Sequence, residues 1–440
     1  MEDSEMVSDE NNTRDDVSIQ IEDADDTVVS SIGNKLESIA PLSSERCIYR
    51  IPQLLRRFNE AAYIPCLISI GPYHRGKESL QAMEQHKLRY LRTFLDFFPN
   101  KSLQDYVKAL RELYERARQC YAETIFELGV DGFVEMGVDG FVEMMLVDSC
   151  FIIVFALKKC HWLGVSNDPI FETMWMSNAI KLDMILLENQ LPFFVIEHLL
   201  HLACHDSEPR FNILGLMRSH HFFERFYVKT YTDIVPKHFL DFLLHCFMPS
   251  SPNGLPQGNG WWEVMPSATE LHQAGVKFKV GRSRSLLDVK FSKGVLEIPV
   301  LVIDVVTETF FRNLIAWEQC QDLTNPYMIS YAVLMDLLIN TPNDVSLLIE
   351  YGIIKNWLGD NEEVCLLFNK LCKDVIMGDS KMYFSSLCED LNAYCEIRCH
   401  EWQATLRRDY FNTPWKIISF FAAVILLILT LLQTIFSIKH

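Results

Sequence analysis

The chain has 440 residues, 49% hydrophobic and 22% charged, which is ample material for a core and excludes a wholly disordered protein. Its formal charge is −18, and no cluster of Lys and Arg is present to neutralise a phosphate backbone, so no nucleic-acid partner is expected. Thirteen cysteines, odd in number and without the spacing of a disulfide framework, predict free and mostly buried thiols in a reducing compartment.

The charge is unevenly spread. Residues 1–30 hold eleven acids against Arg14 alone, which is −10 of the −18. Residues 1–46 therefore read as a disordered acidic tail, too poor in apolar groups to offset the entropy of ordering. The folded body is expected over residues 47–412. A short helical run through Leu54, Leu55 and Phe58 leads into a loop marked by Pro65, Gly71-Pro72 and Gly76. Leu80, Met83, Leu88, Leu91, Phe94, Leu95 and Phe98 recur at helical spacing, and so do Leu103, Tyr106, Val107, Leu110, Leu113, Tyr114, Ala117, Cys120 and Tyr121. With Pro99-Asn100 between them, the pair predicts an αα-hairpin.

The octapeptide GVDGFVEM at residues 129–136 recurs verbatim at 137–144. One short duplication cannot found a solenoid and is expected to lengthen a loop or the start of the next helix. Asp131 and Asp139 each precede a glycine, but the ligand spacing of a calcium loop is missing. Residues 144–157 are strongly apolar, too short to span a bilayer and interrupted by Asp148, and predict a buried helix. Residues 181–201 predict two core helices, the second opened by Pro192.

Residues 249–260 (PSSPNGLPQGNG) form the most loop-like stretch and divide the body into two halves. Ser267-Ala268-Thr269-Glu270 is a capping box opening a short helix that Gly275 closes. Alternation at Val276/Phe278/Val280 and Leu287/Val289/Phe291, then residues 295–298 after a Lys293-Gly294 turn, predicts a small antiparallel β-meander at about 276–299. Helices resume at about 304–320, 326–339, 344–351, 362–375 and 381–408.

Residues 417–436 (IISFFAAVILLILTLLQTIF) carry no charge, and a helix of that length spans roughly the ~30 Å core of a bilayer. Thr413 and Pro414 suit its N-cap and first turn, and Trp415 and Lys416 suit an interfacial belt. The expectation is a transmembrane helix at 415–437, a short tail at 438–440, and a chain anchored by that helix to membrane lipid. Residues 1–30 have neither the basic start nor the apolar stretch of a signal peptide. Arg407, Arg408 and Lys416 precede the span while only Lys439 follows, which predicts a cytosolic body. The fold class is thus mainly α-helical: a helical body, a small antiparallel β-meander and one C-terminal transmembrane helix.

No catalytic constellation stands out. His198, His201 and His205 fall at spacings that share a helix face and could hold zinc, but they lack a general base and read more simply as a polar stripe beside Glu197. Cys388, Cys395, Cys399 and His400 suggest a metal set, but Cys388, Leu391, Cys395, Cys399, Trp402 and Leu406 form one apolar stripe, which favours core thiols over metal. Asp148, Asp183, Glu188 and Asp304 lack partners at readable spacing and are explained by caps or core hydrogen bonds. No catalytic, cofactor-binding or metal residue is assigned, and no cofactor is expected.

Several segments are nonetheless familiar. Ile48-Tyr49-Arg50-Ile51-Pro52, Ile70-Gly71-Pro72-Tyr73-His74-Arg75-Gly76 and Met83-Glu84-Gln85-His86-Lys87 resemble the plant family called "domain of unknown function 247". So do LLENQLPFFVIE (186–197), ATELHQAGVKFK (268–279), FRNLIAWEQC (311–320), LINTPNDVSLL (338–348), NWLG (356–359) and LFNKLC (367–372). Two departures are the doubled GVDGFVEM and Ser149, where the family usually has Gly. The resemblance implies a mostly helical, plasma-membrane-associated plant protein without an established enzyme activity. Some grass members look like self-incompatibility determinants.

The function expected is that of a single-pass membrane protein acting in recognition or signalling through unidentified protein partners, and not an enzyme. The alternative is a membrane-associated, metal-assisted enzyme built on His198, His201 and His205.

Overall fold

Composition predicts no order ahead of Cys47, yet the computed structural model places helix α1 at Ala24–Ser38, within an N-terminal unit of residues 1–44. The reason is local. Val28, Ile32 and Leu36 repeat at i, i+4 and i+8, acids precede them and Lys35 lies in the last turn, as the helix dipole favours. All three apolar side chains are exposed. The structure describes residues 24–38, 43–122, 136–204, 211–218, 235–248, 262–283, 285–321, 326–373, 375–377, 381–396 and 414–439. The loop expected at 249–260, and all but the last residue of the first GVDGFVEM copy, lie outside them.

The short helix expected near Leu54 and Leu55 spans Gln53–Arg56, and the expected αα-hairpin follows as α2 (Ala82–Phe97) and α3 (Leu103–Gln119), both packed on α4 (Val138–Lys159). Ser102 and Asp105 cap α3 reciprocally. The buried stripe of α2 is Met83, Lys87, Tyr90 and Phe94, so Lys87 takes the place periodicity gave to Leu88, which is exposed. A partner for that buried ammonium is what displaces the leucine. The second GVDGFVEM copy opens α4, with Gly137 as N-cap. From Met144 to Leu157 every side chain of α4 is buried, as expected of a core helix. It is long and apolar enough to cross a membrane, but 89% of its apolar window is covered by the body.

Of the two core helices expected at 181–201, the second is present as α6 (Phe193–Cys204), with Pro192 immediately before it, while the first is replaced by α5 (Met174–Asp183), which ends at Asp183 and buries only Ser177, Ile180 and Asp183. Residues 184–192 between them are buried without being helical. Helix α7 (Phe239–Phe247) is capped by the His238 ring, which accepts from the Asp241 N–H at 3.2 Å. Helix α8 (Ala268–Gln273) carries the Ser267/Glu270 capping box and ends at Gly275, whose φ is +96°.

The sheet that follows is not the antiparallel meander expected. Strands β1 (Lys277–Val280), β2 (Lys290–Ser292) and β3 (Val295–Ile298) lie in the order β1-β3-β2, with β3 antiparallel to β2 but parallel to β1. Lys293 and Gly294, both at positive φ, make the tight turn that puts β3 beside β2. The β1–β2 connection must then pass over the end of β3, and Gly281 donates there to the Ile298 carbonyl. Leu287 and Val289, expected in a strand, are spent packing that crossover into the core.

Strand β4 (Leu301–Ile303) pairs in parallel with β5 (Ile354–Asn356) around helices α9 (Thr307–Gln319), α10 (Tyr327–Leu338) and α11 (Pro342–Glu350). This second sheet is too short to show alternation in the sequence. Helices α12 (Asn361–Leu371) and α13 (Ser385–Glu396) complete the body, and α14 (Pro414–Lys439) is the last element. Beyond Glu396, the helix expected to reach residue 408 passes outside the described residues.

Candidate functional site

The chemistry-bearing side chains of this chain converge on a stretch of backbone with no sheet to join. Residues 66–71 (CLISIG) form an irregular, largely buried segment that belongs to no strand. Their N–H groups still need acceptors, because an orphaned buried amide costs about 1–3 kcal/mol. Side chains supply them. Asp183, at the end of α5, accepts from Cys66, Leu67 and Ile68 at 2.9, 2.7 and 2.8 Å. Asn189 accepts from Ile70 at 2.7 Å and donates to the Ile68 carbonyl at 3.0 Å. Asp148, in the middle of α4, accepts from Gly71 at 2.9 Å.

Gly71 has to be glycine. Its φ is +73°, and a Cβ there would lie 2.5 Å from the backbone oxygen of Gln190.

Each buried carboxylate is balanced differently. Burial pushes the Asp148 carboxyl above its ordinary range, and Lys87, 2.7 Å away, pulls it back. Lys87 also reaches Glu84 at 2.7 Å, on the same helix face. Burial likewise raises Asp183, opposed by its three backbone donors. For Glu188 burial is outweighed: His74, Arg56 and the Ile51 N–H hold it down at about 2. That N–H donates at 2.7 Å, and the Arg56 guanidinium and the His74 ring, 3.4 Å away, share the other oxygen. Burial lowers the His74 pKa, and the neighbouring Glu188 carboxylate opposes that shift.

The network continues into the second half of the body. Asn313 of α9 accepts from the Leu187 N–H at 3.0 Å and donates to the Ala62 carbonyl at 2.8 Å. Gln190 donates to the carbonyls of Met184 and Leu186, both at 2.7 Å, and accepts from the Leu240 N–H at 3.1 Å. Asp241 accepts from the Trp317 indole at 3.2 Å. Glu318 accepts from the Met328 and Ile329 N–H groups at 2.9 and 2.8 Å, capping α10, and burial raises it to about 7.

Of the four acids singled out in sequence, Asp148, Asp183 and Glu188 thus meet on residues 51–71. Asp304 stands apart, capping its own turn through the Val306 N–H at 3.0 Å. Spacing alone missed Lys87, Asn189, Gln190 and Asn313. Lys87 was detectable as a charge on the stripe Met83, Tyr90, Phe94.

This arrangement holds backbone. Its members are almost wholly buried, and the space beside Asn189 and Gln190 is about 10 Å³, room for one water at most. A larger hollow of about 420 Å³ opens beside α6, lined by Glu197, Leu200, His201, Cys204, Phe211, Asn212 and Ile213. His198 and His201 are exposed on α6, and His205 lies outside the described residues. Among the described residues no three His, Cys, Asp or Glu side chains stand close enough to share a metal ion. Cys388 is buried against the Met265 sulfur at 3.6 Å, while Cys399 and His400 lie outside the described residues. Asp139 is paired with Arg111 at 2.8 Å on the surface, and Asp131 is outside the described residues.

Several of the segments that resemble the plant family are joined by this network, and a model of that family matches residues 48–429. The chain belongs to the DUF247 family of plant proteins of unknown function. UPF0481 protein At3g47200 of Arabidopsis thaliana is 32% identical over 419 residues, covering 88% of this chain and 85% of its own. Putative UPF0481 protein At3g02645 of the same plant is 25% identical over 491 residues, covering 88% and 89%. No solved structure matches. For this DUF247 chain the buried network explains why Ile48–Pro52, Gly71–Gly76, Met83–Lys87 and Leu186–Glu197 go together: they are parts of one latch.

Proposed function

We propose that this chain is a membrane-anchored interaction protein whose last helix, α14, crosses a bilayer and whose helical body binds protein partners from the cytosolic side. The observation that carries the reading is the surface of α14. Every side chain from Ile418 to Thr430 is exposed, and Leu426 and Leu427 are 64% and 65% accessible. Such a continuous apolar surface is costly in water and at home in lipid. The helix has 26 residues, about 39 Å at ~1.5 Å per residue, against a hydrocarbon core of ~30 Å. Its Thr430 and Thr434 hydroxyls each donate at 2.8 Å to a carbonyl one turn back, so they need no water.

The equally apolar α4 is the useful contrast. The one charge in its buried run 144–157, Asp148, is answered by Lys87 from α2, and that run is covered by the body. Of these two helices, α14 is the one whose apolar surface is left for lipid. Tethering concentrates the body near neighbours in the same membrane, so modest affinities suffice for recognition or signalling. The plasma membrane is the proposed location, resting on the family resemblance. The metal-assisted alternative gains no support from the placement of His198 and His201.

Orientation is tested at Asn100, exposed in the α2–α3 turn within an Asn-Lys-Ser sequon. In microsomes the protein should gain no glycan there. A glycosidase-sensitive shift abolished by Asn100→Gln would put the body on the other side.

A further inference from the structure

The parallel pair β4–β5 ends in two turns that hold large apolar side chains out in solvent. Its register sets Ile303 against Asn356, and the next amide, Trp357, donates to the Ile303 carbonyl at 2.8 Å. The chain therefore leaves both strands at one end, where Val305 is 82% and Trp357 73% exposed. Neither turn is loose. Asp304 accepts from the Val306 N–H and from the Thr307 hydroxyl at 3.0 and 3.1 Å. The Asn356 side chain accepts from Leu358 and Gly359 at 2.9 and 3.3 Å and donates to Asp360 and Asn361 at 3.2 and 3.1 Å. Gly359, at φ +93°, completes the turn, and Asp360 caps α12. An indole presented on a preorganised turn gives apolar contact at little ordering cost, the property of a binding anchor.

The charge around it is one-sided. Asp304, Asp360, Glu362 and Glu363 flank the two turns, against Lys355 alone among the neighbouring chain positions. A second copy of a chain with formal charge −18, or an anionic lipid surface, is repelled by such a rim. A basic segment is attracted.

We infer that the Val305/Trp357 end of the β4–β5 pair is a docking surface for a Lys/Arg-rich protein segment that also carries an apolar side chain. This rests on the proposed membrane-anchored role and makes it more specific. Basic segments beside membrane spans are enriched on the cytosolic face, within reach of a body tethered there. The apolar residue packs on the indole while the cations meet the acidic rim. Rim charge then sets on-rate and salt sensitivity, and the indole sets the off-rate.

The test uses full-length protein in nanodiscs of neutral lipid and a displayed library of random twelve-residue peptides as probe. Enriched peptides should carry net positive charge plus a large apolar residue and bind more weakly as salt is raised. They should lose at least tenfold in affinity to Trp357→Ala and to Glu362→Lys/Glu363→Lys, and nothing to Trp175→Ala, another exposed indole. Unaltered thermal unfolding of Trp357→Ala would show that the loss is not one of folding. Enrichment of neutral or acidic peptides, no enrichment, affinity indifferent to Trp357→Ala, or Trp357-dependent dimers in sedimentation would each overturn the inference. Failure to enter nanodiscs would instead sink the anchoring by α14, and the selection could still be read on detergent-solubilised chain.

Discussion

The Lys87 ammonium lies 2.7 Å from the Asp148 carboxylate, and each side chain is only 1% exposed. A buried pair of this kind is a poor source of net stability but a strong constraint, because removing one partner strands the other. Lys87→Met should therefore cost about 3–5 kcal/mol in denaturant unfolding. Lys87→Met with Asp148→Asn should recover most of it, since the amide oxygen still accepts from Gly71 and Glu84 can turn to water. Equal loss in the single and double variants would show that packing, not charge, holds α2 on α4.

Asp183 carries three amides at once. Asp183→Ala leaves the N–H groups of Cys66, Leu67 and Ile68 without acceptors and should cost about 3 kcal/mol or more. Hydrogen exchange should localise the opening to residues 66–71 while α4 stays protected. Uniform loss of protection would mean that the latch is part of the global unfolding unit.

Gly71→Ala should destabilise by more than 2 kcal/mol, on the order expected for overpacking and a strained φ together. The Gln190 carbonyl cannot retreat without releasing the Tyr121 hydroxyl, which donates to it at 3.1 Å. Thermal unfolding checks this. A wild-type midpoint would mean that residues 190–191 can shift.

Two carboxylates bend the pH profile in opposite senses. Glu188, held near 2 against an ordinary 4.5, contributes stability that is present above pH 4.5 and lost as pH falls toward 2. Glu318, raised to about 7, binds its proton more tightly when folded, so stability declines as pH rises from 4.5 through 7, by on the order of 3 kcal/mol. Burial of Asp148 and Asp183 adds to that decline. Glu318→Gln should flatten the slope between pH 4.5 and 7, and Glu188→Gln the slope below it, in urea titrations across pH. An unchanged neutral slope in Glu318→Gln would place that titration elsewhere.

Helices were legible in the sequence because the 3.6-residue period is local: the α2–α3 pair, the buried run 144–157, Pro192 before α6 and the Ser267/Glu270 box all stand where expected. What was not legible depends on contacts across the chain. Alternation marked β1 but carried no sign that its neighbour would be β3, in parallel, and β4 and β5 are too short to show alternation at all. The charge on the α2 stripe made sense only once Asp148, 61 positions later, stood opposite. Asn189 and Asn313 lie 121 and 251 residues from the Ile68 and Ala62 carbonyls they satisfy. Helix α1 was hidden for another reason: averaging over an acidic stretch buries a short i, i+4, i+8 stripe.

Whether α14 resides in lipid is decided most directly by alkaline carbonate extraction of membranes from plant cells expressing the full chain, beside the same chain cut after residue 413. Full-length protein should stay in the membrane pellet and be released only by detergent, while the truncated body moves to the supernatant. Full-length protein released by carbonate alone would contradict the spanning helix, and with it the tethered body on which the proposed role depends.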